Sequence, residues 1–340
     1  MDFAVAVLNT GFPAFLERVR LAEELGFEMV CFGDSQSLFR EAYVSNTAMV
    51  MSTKRSRVAM TVSNPVTRHP AVVASACASL DELSGGRFVL GLGTGDSALY
   101  NIGEKGVKVA VLESYINALR DLWTAKPVEY QGKTIRMNWP WRRVPIMISA
   151  EGPATLRLAG RLCESVCVGM GLTDDMVSDS LELLSEGAHE AGRSLDDIDV
   201  WFFAKGNIAE TREEAIDEIK MALAASANHG FRFTFEGKRV PTHLQSRIQE
   251  LQRRYRPDRH EQLGANPNRD LLDDDPELLE FLAERFGLAG TPDDLVLKLK
   301  RLERAGVNKV FFTAIADDPA NLMRRFASEV RPKLEAKAPA

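Results

Sequence analysis

The sequence predicts an α/β fold, a closed (β/α)8 or TIM barrel with an insertion before its eighth strand. Two observations support this prediction. Short apolar runs alternate eight times with longer segments of helical spacing over the 340 residues, which favours a barrel of repeated strand-helix units. The apolar runs are also nearly continuous, as is typical of parallel strands buried on both faces. A doubly wound open sheet is the alternative fold.

Each predicted strand is followed by its predicted helix. The strands are 4–9, 29–34, 58–63, 88–93, 145–149, 165–170, 199–205 and 309–315. The helices are 13–26, 41–53, 71–83, 110–123, 154–163, 174–191, 212–229 and 319–335. Gly26 and Gly85 are helix-ending signals for the first and third helices, and Pro153 is a helix-opening signal for the fifth.

Two segments interrupt the alternation. Residues 124–143 contain Gln131-Gly132 and are predicted to form a small hairpin. Residues 231–288, called the insertion below, are polar and contain predicted helices at 244–254 and 276–286, so we expect a helical lid. Length alone allows two domains, but the insertion accounts for the excess over one barrel, and we predict a single domain over residues 1–340.

Composition and charge exclude several classes of function. A net charge of −6 lacks the positive field that governs nucleic-acid affinity, and no stretch reaches the ~18 apolar residues of a membrane span. The N-terminus shows no targeting signal, so a cytoplasmic protein is expected. The four cysteines lie in apolar runs and are expected to be buried thiols. No Cys or His pairs have the spacing of metal ligands, so no metal is expected.

Polar residues and glycines follow the predicted strands, at the end of a barrel where active sites lie. Residues 91–95 (GLGTG) would let a flat or anionic ligand approach the backbone, although a tight turn alone would explain these glycines equally well. Residues 149–155 lead from a predicted strand into a predicted helix, whose first backbone N–H groups are free. This arrangement is typical of a phosphate-binding site or of simple helix capping. The other positions are Asn9, Asp34, Ser35, Gln36, 61–64, 96–97, 169–171, Lys205, Asn207 and Thr313.

Three motifs resemble the bacterial luciferase-like monooxygenase superfamily, and in particular its branch near the deazaflavin (F420)-dependent methylenetetrahydromethanopterin reductases. The motifs are VSNPVTRHPA at 62–71, GRFVLGLGTGD at 86–96 and AEGP at 150–153. The resemblance covers about residues 1–230 and 289–335 and leaves out the insertion. It implies a barrel that binds FMN or F420 at the carboxyl ends of its strands.

The resemblance also implies cofactor contacts. A non-proline cis peptide between Thr61 and Val62 would support the ring, and the phosphate would be held after the fifth strand. The implied cofactor-binding residues are Thr61, Val62, Asn64, Thr94, Gly95, Asp96, Glu151, Gly152, Thr155, Gly169 and Met170.

One departure from the superfamily bears on the chemistry. Members often carry Asp-His after the second strand, where this sequence has Asp34-Ser35. We therefore expect Asp34, Ser35 and Asn64 to be the catalytic residues, which would orient the substrate or a peroxide.

These expectations combine into one main prediction and two alternatives. The main prediction is a reduced-FMN-dependent monooxygenase that acts with O2 on a small organic substrate, is supplied by a separate flavin reductase and forms a homo-oligomer. The first alternative is an F420-dependent hydride-transfer reductase or dehydrogenase. The second is a non-catalytic flavin-binding protein. Neither nucleic acid nor a membrane is an expected partner.

Overall fold

A computed structural model describes residues 1–262 and 264–335, so Leu263 and the last five residues of the predicted domain lie outside the described residues. Its strands are β1 (Asp2–Ala6), β2 (Met29–Phe32), β3 (Arg57–Ser63), β4 (Phe88–Leu92), β5 (Val128–Tyr130), β6 (Lys133–Ile135), β7 (Ile146–Ala150), β8 (Ser165–Val168), β9 (Asp199–Ile208), β10 (Gly287–Gly290) and β11 (Lys309–Ala314). All of them except β5, β6 and β10 form a closed ring of eight parallel strands. The predicted barrel is confirmed.

Helices surround the ring. They are α1 (Phe12–Glu24), α2 (Ala42–Ser52), α3 (Pro70–Ser84), α4 (Ser97–Tyr100), α5 (Val109–Leu122), α6 (Pro153–Leu162), α7 (Asp174–Glu190), α8 (Arg212–Gly230), α9 (Thr242–Arg254), α10 (Pro276–Phe286), α11 (Pro292–Arg304), α12 (Pro319–Arg325) and α13 (Arg331–Glu335). A π-helical turn, Phe326–Val330, joins the last two. No helix within the described ranges is long and apolar enough to cross a membrane.

The barrel interior explains why the strands are apolar on both faces. Every residue of β2, β4 and β8 is buried, because one face packs on the helices and the other fills the barrel. The four cysteines are buried and free, as expected. The interior side chains are Ala4, Met29, Cys31, Ala59, Val89, Met147, Cys167, Trp201 and Phe311. They fill the barrel below its carboxyl end.

Two elements that follow α10 were not predicted. β10 runs parallel to the carboxyl half of β9, outside the ring, with Gly287 opposite Lys205. A strand of four residues with two glycines carries too weak an apolar signal to be recognised. The helix α11 begins with a capping box between Thr291 and Asp294, a signal that the sequence does contain. The predicted hairpin is present as β5 and β6, with Val128 opposite Ile135.

The insertion packs on α8 and builds a core of its own. Ile219 and Leu223 of α8 lie in one apolar cluster with Ile248 of α9 and Leu282 of α10. The helix α8 also covers the barrel beside β9, so it serves both parts. Arginines of the insertion pair with nearby carboxylates, as Arg247 does with Asp275, Nε to Oδ2, at 2.7 Å.

Candidate active site

A pocket lies at the carboxyl ends of the barrel strands and encloses about 1190 Å³, including its open mouth. Each of the eight ring strands, or the loop that follows it, contributes at least one residue to the wall. The end of α8 and the insertion contribute the rest. The pocket is therefore the place where a ligand can meet both the barrel and the insertion.

The β2–β4 side of the pocket is built from closely packed backbone. The Thr61–Val62 peptide bond is cis, as the resemblance implied. A Cβ atom at Gly33 would lie 2.7 Å from the Thr61 carbonyl oxygen, and one at Gly91 would lie 2.1 Å from the Met60 carbonyl oxygen. A Cβ at Gly93 would lie 3.1 Å from Cγ2 of Val62. These glycines therefore let the backbone of β3 pack closely against β2 and β4 and the residues that follow them. We call the part of the pocket wall formed by Gly33, Gly93 and the Thr61–Val62 peptide the glycine floor.

Asp34 lies buried beside the glycine floor. Its Oδ2 accepts a hydrogen bond from Ser63 Oγ at 2.7 Å and pairs with Arg68. The Asp34 charge raises the pKa of Arg68, although burial alone would lower it. Asp34 Oδ1 is buried without a hydrogen-bond partner among the described residues. A buried acceptor of this kind, in a pocket wall, can be satisfied by a donor on a ligand.

The other predicted polar residues of this side hold the loops together. Ser35 Oγ lies 2.8 Å from Ser97 Oγ. Asn64 Oδ1 accepts hydrogen bonds from the backbone N–H groups of Val66 and Thr67, at 3.0 and 2.9 Å. This is an Asx turn, and it leaves only the Asn64 amide N–H groups for a ligand.

Glu151, at the end of β7, lies among cationic groups. Its Oε1 is 2.7 Å from Nδ1 of His229, the penultimate residue of α8. Burial would raise the pKa of Glu151, but His229 and the more distant Arg232 and Lys238 lower it. Burial would lower the pKa of His229, but Glu151 raises it. Both shifts favour a carboxylate beside an imidazolium.

The β9 side of the pocket carries a second ion pair, between the buried Lys205 and Glu261 of the insertion. Burial would raise the pKa of Glu261, but Lys205 and His260 lower it to about 2. Tyr255 Oη lies 2.6 Å from His260 Nδ1. Since β9 is four strands from β3 in the eight-stranded ring, these groups face the glycine floor across the pocket.

A third ion pair closes the β4 side. Arg232 Nη1 donates to Asp96 Oδ1 at 2.7 Å, and Arg232 Nη2 donates to the Gly95 carbonyl oxygen at 3.1 Å. The first residues of the insertion are thus bound to the loop that follows β4.

The structure brings most of the predicted site residues into one pocket. The residues in its wall are Asp34, Ser35, Thr61, Val62, Asn64, Thr94, Gly95, Asp96 and Glu151. Gly152 and Thr155 lie behind it, where Thr155 Oγ1 donates to the Gly152 carbonyl oxygen at 2.9 Å. Gly169 backs the Glu151 side chain, and the Met170 carbonyl oxygen accepts from Arg285 Nε at 2.9 Å. The catalytic and cofactor-binding roles of all these residues stay predictions.

Sequence reasoning did not single out His229, Arg232, His260 and Glu261 as site residues. All four come from the end of α8 or from the insertion, where no strand end marks a position. Their place in the pocket depends on how the insertion folds, which neither spacing nor motif reveals. No group of His, Cys, Asp and Glu within residues 1–262 and 264–335 is placed to hold a metal ion.

Comparison with known proteins identifies the family. The family model of luciferase-like monooxygenases matches residues 2–309. The chain belongs to the luciferase-like monooxygenase family. A 5,10-methylenetetrahydromethanopterin reductase from Methanopyrus kandleri is 28% identical over 98% of both chains. An F420-dependent glucose-6-phosphate dehydrogenase from Amycolatopsis mediterranei is 27% identical over 93% of this chain and 92% of its own length.

Solved structures agree with these relatives. The coenzyme F420-dependent tetrahydromethanopterin reductase from Methanopyrus kandleri superimposes with a TM-score of 0.77 at 26% identity, over 98% of this chain and 99% of that one. EDTA monooxygenase from Chelativorans sp. BNC1 has a TM-score of 0.69 at 17% identity, over 98% and 93%, a likeness that shows the fold alone.

These relatives overturn the main functional prediction. The reductases and dehydrogenases that match over nearly the whole chain are F420-dependent. The prediction of a reduced-FMN-dependent monooxygenase is therefore wrong. It failed because two of the three motifs that carried the resemblance, at 62–71 and 86–96, reflect backbone packing beside the glycine floor, and such packing does not tell FMN from F420.

Proposed function

We propose that this protein is an F420-dependent oxidoreductase that transfers a hydride between F420 and a small organic substrate. The observation that carries the proposal is the glycine floor beside Asp34 Oδ1, which has no hydrogen-bond partner among the described residues, in a chain similar to F420-dependent proteins over nearly its whole length.

The residues present fit a deazaflavin. Gly33, Gly93 and the Thr61–Val62 peptide form a surface that a flat ring can cover, and a Cβ at either glycine would approach this peptide or the Val62 side chain. Asp34 Oδ1 is the buried acceptor that a donor on the ring would satisfy. The loop of Thr94 to Asp96 would hold the rest of the cofactor beside the floor.

F420, when bound, supplies the carbon that gives or takes the hydride. The protein would orient the cofactor and the substrate, limit the access of water and place a proton donor beside the substrate. The insertion covers the pocket with Arg232, His260 and Glu261, which limits the access of water. Glu151, 2.7 Å from His229 Nδ1, raises the pKa of His229 against the effect of burial and so favours the imidazolium, whose Nε2–H would be a second donor for a substrate oxygen or nitrogen.

Fluorescence titration tests the proposal without knowledge of the substrate. The purified protein is titrated against F420 and, separately, against oxidised and reduced FMN. We expect saturable binding of F420 and at least about tenfold weaker binding of either form of FMN. The variant Gly93→Leu, which would add a side chain at the floor, should lose F420 binding, whereas Gly11→Ala, which is outside the pocket wall and has no atom within 4 Å of its added Cβ, should keep it. Tighter binding of FMN than of F420 by the wild-type protein would refute the proposal.

A further inference from the structure

Lys205 and Glu261 form an ion pair in the part of the pocket that faces the glycine floor. Their side chains are 2% and 12% exposed, so the pair is almost shielded from water. Lys205 is the strand residue that pairs with Gly287 of β10 and Thr313 of β11, which holds its backbone between two neighbours. If the cofactor ring covers the glycine floor, as the proposed function requires, this pair borders the space that remains for the substrate.

The chain holds Glu261 in place at a conformational cost. Its backbone is left-handed, with φ of 51°, a conformation that is unfavourable for a residue with a Cβ. The buried Asn266 fixes both flanks of the turn, since its Nδ2 donates to the carbonyl oxygens of Arg259 and Gln262 at 2.7 and 2.9 Å. The turn is therefore fixed in a conformation that places the Glu261 carboxylate against Lys205.

The other cations of the pocket wall are also neutralised. Arg232 is paired with Asp96 and His229 with Glu151. Among the pocket residues that the structure describes, each of the cations Lys205, His229 and Arg232 thus has a carboxylate partner. A phosphate or carboxylate group of a substrate pairs strongly with a side-chain cation only where that cation is free.

We propose that Glu261 makes Lys205 unavailable to anions, so that the pocket selects a substrate that is uncharged where it faces β9 and rejects phosphorylated or carboxylated substrates. A carbonyl, an imine or an alcohol is the class of group that fits. An external anion must displace a carboxylate that is tethered beside the ammonium, and tethering gives the internal group a high effective concentration. The inference rests on the proposed function for the place of the substrate opposite the cofactor and for the reaction that the substrate undergoes.

The experiment measures anion binding to the full chain without F420. The probes are inorganic phosphate and glucose 6-phosphate, followed by the broadening of their 31P NMR lines. The proteins are the wild type, Glu261→Gln, and the double variant Lys205→Met with Glu261→Gln, which removes both charges of the pair. We expect equal and weak broadening with the wild type and the double variant. Glu261→Gln should bind phosphate about 10- to 100-fold more tightly, because it frees one charge-assisted hydrogen bond.

Two results would overturn the inference. One is saturable binding of either anion by the wild type that the double variant lacks, since Lys205 would then accept anions beside Glu261. The other is phosphate binding by a folded Glu261→Gln no tighter than that of the wild type. Circular dichroism and thermal unfolding check the fold of each variant. If Glu261→Gln does not fold, the comparison of the wild type with the double variant still tests whether Lys205 binds anions. Failure to bind F420 would refute the proposed function and leave these titrations unaffected.

Discussion

Arg232 donates to Asp96 across the mouth of the pocket, with 2.7 Å between Nη1 and Oδ1. The bond joins the second residue of the insertion to the loop after β4. The guanidinium also lies over the Tyr100 ring, 5.3 Å from its centroid. The insertion is therefore attached to the barrel by specific side chains in addition to its apolar core.

Arg232→Met should loosen this attachment. Loss of a charge-assisted hydrogen bond costs about 1–3 kcal/mol, and we expect faster amide hydrogen exchange in residues 231–240 and in the loop after β4, with α11 unchanged. Arg253→Met is the control, because Arg253 pairs with Glu250 at an exposed position, with a side chain 71% exposed. Equal exchange in wild type and Arg232→Met would show that the bond does not hold the insertion.

Glu151→Gln should lower stability in a defined pH window. His229 has a raised pKa in the folded state, so its pairing stabilises the fold below about 6.5, its ordinary value, and is lost as the pH rises through the raised pKa. Glu151 has a lowered pKa, so its pairing is present above about 4.5 and is lost as the pH falls through the lowered pKa. The difference between wild type and variant should be largest between these two values.

Urea unfolding at several pH values measures this difference, which we expect to reach about 1–3 kcal/mol. Glu186→Gln is the control, because Glu186 pairs with Arg157 on the surface, with side chains 45% and 39% exposed. A stability difference that is constant across the range would mean that the pair does not titrate as described.

Asp34→Asn should weaken F420 binding by about 10- to 100-fold, because it removes the charge of the buried acceptor beside the glycine floor. The measurement is the dissociation constant from F420 fluorescence. Glu41→Gln is the matched control: Glu41 also pairs with Arg68, at 2.5 Å, but its side chain is 43% exposed and lies outside the pocket wall. A similar loss of F420 affinity in both variants would indicate that binding depends on Arg68 and not on the Asp34 carboxylate.

Gly91→Ala should destabilise the barrel by about 3 kcal/mol or more, because its Cβ would lie 2.1 Å from the Met60 carbonyl oxygen, a backbone atom that cannot move aside cheaply. Gly11→Ala has no atom within 4 Å of its added Cβ and should change stability by no more than about 1 kcal/mol. Thermal unfolding of the two variants checks this contrast. Similar melting temperatures would refute the packing argument for the glycine floor.

The sequence predicted those parts of the site that belong to the barrel strands. Continuous apolar runs located the ring strands, and the motifs around Thr61 and Thr94 located the glycine floor, because backbone packing leaves a local pattern of glycines. His229 and Glu261 left no such pattern. Their positions depend on long-range packing of the insertion against α8, and a polar segment of 58 residues can place its charges in many ways.

The three ion pairs of the pocket have a geometric consequence. Arg232 with Asp96, His229 with Glu151, and Glu261 with Lys205 reach β4, β7 and β9 or the loops that follow them. Arg232 and Glu261 belong to the insertion, whereas His229 belongs to α8, on which the insertion packs. A movement that lifts the insertion off the barrel must therefore break two ion pairs at separate strands, and it would offer two cations and two carboxylates to a ligand in the same step.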